Sequence, residues 1–133
     1  MDEEVKNEII RVALTITGLL SSNLFFGKAK PNAHHPYVVM SEVSAPISWD
    51  SVYRFESTNF QFATYAKDAT YSAAAALDAL IKAKFDFATV ATFSGFTTWS
   101  LVKCMPVRVM RRPQDEETWQ IIREYQIEVQ KSR

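Results

Sequence analysis

The stretch TWQIIREYQIEV, Thr118 to Val129, decides the fold class. Trp119, Ile121, Tyr125, Ile127 and Val129 alternate with Gln120, Glu124, Gln126 and Glu128. Successive side chains on a strand point to opposite faces, so the pattern predicts a strand with one apolar and one polar face, as in an antiparallel sheet. Arg123 interrupts the apolar row and Ile122 the polar one. Upstream, residues 99–110 form a second strand-like run, and RPQDEE, Arg112 to Glu117, carries turn chemistry between the two. Together they read as a hairpin.

Working towards the N-terminus, residues 85–96 form a connector rich in Thr, Ala and Phe, with a short strand expected inside it. Before it, a helix is predicted from Ala69 to about Lys84, capped by Asp68, with Ala73, Ala74, Leu77, Leu80 and Ile81 on its apolar face. Residues 53–66 read as an extended stretch whose apolar parity changes midway. Tyr53 and Phe55 lie on one face, Phe60 and Phe62 on the other. The expectation is that its first half projects beyond the sheet and its second half packs on the core. Pro36 biases His35 towards an extended conformation, and YVVM, Tyr37 to Met40, follows as a buried strand. At the start, Val5, Ile9, Val12, Ala13, Ile16 and Leu20 make a helical stripe, with Asp2, Glu3 and Glu4 in the first turn, where the helix dipole favours negative charge. The order helix, strand, strand, helix, strand, strand predicts an α+β domain: a mainly antiparallel sheet with two α-helices packed on one face.

The composition fits one domain over residues 1–133. With 133 residues, 47% of them hydrophobic and 13% aromatic, the chain is long enough to bury a core without staples. Its 15 basic and 15 acidic residues give a formal charge of zero, which argues against a domain built to grip a phosphate backbone. The one cysteine, Cys104, excludes an internal disulfide. No apolar run has the length of a membrane span, and the start MDEEVKNE is acidic where a signal peptide is basic. A soluble protein made in a reducing cytoplasm is expected.

Site chemistry is sparse. His34 and His35 are the only histidines. Adjacent residues on an extended segment point in opposite directions, so the pair reads as the lead-in to a strand and not as a metal or general-base site. Three glycines, Gly18, Gly27 and Gly95, leave no nucleophile elbow, phosphate loop or dinucleotide fingerprint. Cys104 sits mid-strand among apolar residues and reads as a buried small hydrophobe. No catalytic, metal-binding or cofactor-binding residue is expected. Asp115, Glu116 and Glu117 read as a solvated hairpin tip. Arg108, Arg111 and Arg112 form a basic patch beside it, suited either to a partner or to local pairing with those carboxylates. Trp49, Tyr53 and Phe55 lack a regular place in the sheet; they either fold back on the core or bury against another subunit.

Taken in order, these features resemble the tail terminator (tail completion, head–tail joining) proteins of tailed bacteriophages. The resemblance runs through PYVV, Pro36 to Val39; the loop with Trp49 and Asp50; FQFATYA, Phe60 to Ala66; and Lys67–Asp68 leading into the Ala-rich helix with Leu77 and Leu80. It closes on RRPQDEETWQIIREYQIEV, Arg111 to Val129. Residues 85–98 depart from it, being longer and richer in Phe. The resemblance implies a structural virion protein without catalytic residues or cofactors. It implies a homo-oligomeric ring, usually a hexamer, that caps the tail tube, stops its polymerisation and meets the head–tail connector. DNA would only pass through the ring lumen, and no membrane is involved. The place implied is the tail or neck of the virion, after assembly in the host cytoplasm. A head-completion or neck protein of the same junction is the alternative. A small enzyme and a nucleic-acid-binding module lack supporting motifs.

Overall fold

The computed structural model describes residues 1–47, 54–113 and 117–131. Its elements are α1 (Glu3–Leu14), β1 (Leu24–Phe26), β2 (Tyr37–Ile47), β3 (Arg54–Lys67), α2 (Tyr71–Phe85), β4 (Trp99–Pro113) and β5 (Thr118–Lys131). The strands form one five-stranded sheet in the order β1-β2-β3-β5-β4. Only the short β1–β2 pair is parallel. Both helices pack on one face, so the expected α+β class holds.

β5 lies inside the sheet and pairs with β3 from Arg54↔Lys131 to Lys67↔Thr118 without a slip. β4 lies on its other side as the edge strand. With a neighbour on each flank, β5 buries Gln120 and Glu124 on its polar face, although among the described residues no second layer of helix or strand covers them. Long neighbours do the covering. The Glu124 carboxylate accepts from Arg108 Nε (2.8 Å) and Asn59 Nδ2 (3.0 Å).

The continuous β3–β5 register corrects the expected split of β3. Its first half, from Arg54, pairs with β5 and does not project beyond the sheet. The parity change arises because the strand carries aromatic residues on both faces. Phe60 and Phe62 look towards the helices; Phe55 shares the outer face, opposite Gln130. The irregularities sit instead in β2, between Glu42 and Ser44 and between Ser44 and Ile47.

The helices differ from expectation at their ends. Asp2 caps α1, accepting from the Glu4 amide at 2.9 Å. The helix stops at Leu14 and the chain turns at Gly18 (φ 94°), so Leu19 enters the core while Leu20 faces solvent. Asp68 does not cap α2. A 3-10 turn, Asp68–Thr70, precedes the helix, and the Asp68 carboxylate accepts from Trp119 Nε1 at 2.7 Å. The inner stripe of α2 is Ala74, Leu77, Asp78, Ile81 and Phe85, whereas Ala73 and Leu80 turn outward.

The connector after α2 contains no strand; α1 holds it in place. Glu4 accepts from the amides of Thr97 (2.9 Å), Thr98 (3.0 Å) and Trp99 (3.1 Å) and from the Thr97 hydroxyl. These donors, the Thr97 hydroxyl first, hold its pKa down at about 2, against the effect of burial. The buried Glu8 accepts from the Gly95 amide (2.6 Å) and from Arg11 Nε (2.5 Å). Glu4, read as a dipole partner, thus also organises residues 97–99, and Glu8 of the next turn holds Gly95. Phe93 thereby reaches the core, where Phe60, Phe62, Phe85 and Tyr125 meet ring against ring at 4.9–6.5 Å.

Candidate assembly surface

The arginines read as one patch fall on two faces, because residues 111 and 112 of a strand point oppositely. Arg108 and Arg112 lie on the outer face, opposite Glu124 and Gln120; Arg111 lies on the helix face, opposite Ile121. Each has a partner in the sheet or helix layer. Arg108 binds Glu124, Arg112 Nε donates to Gln120 Oε1 at 2.9 Å, and Arg111 Nη2 stands 3.6 Å from Asp78 Oδ2. Among the described residues these partners lie on β5 and α2; Asp115 and Glu116 of the turn lie outside those residues.

Arg112 starts a row that crosses every strand. Gln120 Nε2 donates to the Tyr65 hydroxyl at 2.8 Å. Tyr65 stacks on Tyr37 with centroids 5.0 Å apart, and Phe25 meets Tyr37 edge-on at 6.0 Å. The outer face therefore ends in an aromatic, amide-lined band with a guanidinium at the β4 edge.

That edge is the more telling surface. Val102 (45% exposed), Met105, Val107 (49% exposed) and Val109 leave apolar area open along β4. Bulges fall between Leu101 and Lys103 and between Pro106 and Arg108, and Pro106 has no backbone N–H to give. Such features blunt an edge against open-ended strand addition. Such an edge presents side chains more readily than a free row of backbone groups.

A second apolar area lies on the helix layer. α2 is apolar nearly all round, a composition normally found in buried helices. Its outward Ala73, Ala76 and Leu80 border a hollow of about 410 Å³ with Thr17, Gly18 and Pro36. Leu14 and Leu20 are exposed as well.

Of the aromatic segment, Trp49 and Tyr53 lie outside the described residues; Phe55 is half-buried on the outer face. Cys104 is buried, and burial, followed by the charge of Asp86, pushes its thiol up to about 12, which leaves it unreactive. The chain turns at 31–32 and bends at 35–36 before β2, and His34 and His35 line the same hollow, contrary to the alternation expected of an extended segment. No group of three His, Cys, Asp or Glu among the described residues could hold a metal ion.

Sequence reasoning also passed over a buried ion pair. Arg123 Nε and Nη2 donate to Asp78 Oδ1 (3.0 Å) and Oδ2 (2.8 Å) from the inner face of β5. Two signals pointed to it: a cation in the apolar row of β5 and an anion one residue after Leu77. Only the packing of α2 across β5 joins them.

No protein-family model matches the chain, and no curated protein matches it. Among solved structures, its fold is similar to that of a chain from the virion of a native gene transfer agent particle. The TM-score is 0.69 at 16% sequence identity, over 95% of this chain and 91% of that one.

Proposed function

We propose that this protein is a structural virion component, a tail terminator whose ring caps the tail tube, halts its growth and meets the head connector. The observation that carries the reading is the fold shared with a virion chain along nearly the full length of both. The order of sequence features that resembles the tail terminators points the same way.

The mechanism is geometric. A ring is built from heterologous contacts that close on themselves, which requires two unlike surfaces on each subunit. The β4 edge and the outward side of α2 are two such surfaces. The blunted edge favours a closed, side-chain contact over continued strand addition. Trp49, Tyr53 and Phe55 serve in this reading as subunit or tube anchors. Arg108, Arg111 and Arg112 frame the contact, and Arg112, bound to a neutral amide, has the most charge to offer an acidic partner.

The test adds purified protein to growing tail tubes and, separately, to filled heads, with electron microscopy as the readout. Tubes of arrested length bearing a ring at one end are expected. Binding to heads alone would replace the terminator role by that of a neck or head-completion protein, and binding to neither would end the virion reading.

A further inference from the structure

We propose that the hollow between the 27–36 loop and the β3–α2 corner binds a phosphate group. The hollow, about 480 Å³, is lined by Asn32, Ala33, His34, His35, Lys67 and Thr70. It collects basic groups and no carboxylate, in a chain whose formal charge is zero. Nothing about overall charge creates this; the topology does, by bringing the end of β3 beside the loop that enters β2.

The parts are placed for an anion. Asp68, the carboxylate next to Lys67, is held by Trp119 Nε1 and is not among the lining residues. Among the described residues, Lys67 makes no salt bridge. Thr70 fixes the Lys67 backbone: its hydroxyl accepts from the Lys67 amide at 3.0 Å and donates to the Lys67 carbonyl at 3.2 Å. His35 packs against Tyr37 with centroids 5.0 Å apart, which limits how far its ring can turn. Burial and then the charge of Lys67 keep His35 below its usual pKa, so the ammonium and the imidazole sense each other across the hollow. A phosphate has several acceptor oxygens and up to two charges. It takes hydrogen bonds from the Lys67 ammonium and the imidazoles, and relieves the repulsion between them. The same chemistry belongs to free phosphate and to the backbone of a nucleic acid. The inference does not depend on the virion role.

The experiment follows the His35 ring protons by NMR across pH, in phosphate and in chloride of matched ionic strength. A bound anion favours protonated imidazole, so phosphate should raise the His35 pKa by about half a unit or more. Lys67→Met should abolish the difference. Lys82→Met, at the far end of α2 and about 18 Å along its axis from the corner, should leave it intact. Backbone amide spectra establish that both variants are folded. A short DNA duplex in place of phosphate separates the sources. A shift with both marks a general phosphate site, with the duplex alone a nucleic-acid contact, and with phosphate alone a small-anion site. Equal titration in phosphate, duplex and chloride, or an equal loss in Lys82→Met, overturns the proposal.

Discussion

Removing one member of the buried pair should cost far more than removing both. The Arg123 and Asp78 side chains are 6% and 3% exposed and share two hydrogen bonds. Deleting one partner of such a pair leaves an uncompensated buried charge, at a cost of about 3–5 kcal/mol. The structure ranks the single variants within that range. Asp78→Ala strands Arg123, a cost near the upper end, about 4–5 kcal/mol. Arg123→Met leaves Asp78 with Arg111, already 3.6 Å away, so about 3 kcal/mol is expected. Arg111→Met removes only the half-exposed arm and should cost about 0–1 kcal/mol. The double variant Asp78→Leu/Arg123→Met exchanges the pair for apolar side chains and should lie within about 1 kcal/mol of the parent. Equilibrium urea denaturation, with unchanged m-values as the check on two-state behaviour, measures all of these. If the double variant loses the sum of the singles, the coupling is absent and the pair is not what joins α2 to the sheet.

Four other outcomes are expected. Glu4→Gln should destabilise by about 1–3 kcal/mol at neutral pH, since hydrogen bonds to a charged acceptor are lost. Because the folded pKa of Glu4 is about 2, below the reference 4.5, its stabilisation is complete above the higher value and disappears as pH falls towards the lower one. Acid melts of parent and variant should therefore converge over that window; parallel curves would count against the Glu4 clamp. Gly95→Ala should cost about 1–3 kcal/mol by thermal melt, since its Cβ would stand 2.3 Å from Glu8 Oε1 and 2.7 Å from Arg11 Nε. In chemical denaturation, Ile127→Ala should lose about 2–5 kcal/mol and Gln126→Ala, half-buried on the outer face, less than about 1 kcal/mol. Replacing Trp49, Tyr53 and Phe55 with serine should preserve the circular dichroism spectrum but weaken self-association or tube attachment in analytical ultracentrifugation. Unfolding would assign these residues to the core, and normal assembly would put the interface elsewhere.

The α+β class, the closing hairpin and the core rows of β3 and β5 were legible in the sequence, because a half-buried strand or helix writes its period into the order of apolar residues. The same periodicity placed Val5, Ile9, Val12 and Ala13 inside α1, and the pattern around Cys104 marked it as an inert core residue. Tertiary structure decided the rest. Period shows that a strand has two faces, but not how many neighbours flank it, so the burial of Gln120 and Glu124 awaited the central place of β5. β1 was too short to show a period at all. Local chemistry offered Asp68 as a cap and Glu4 as a dipole partner. Asp68 bonds instead to Trp119, 51 residues away, and Glu4, in the first turn as expected, also binds the 97–99 segment, 93 to 95 residues away. The division of the arginines, the Arg123–Asp78 pair and the gathering of His34, His35 and Lys67 share that origin. A charged group is satisfied by whatever lies beside it in space, and sequence order does not record who the neighbours are until the sheet has closed and the helices have crossed it.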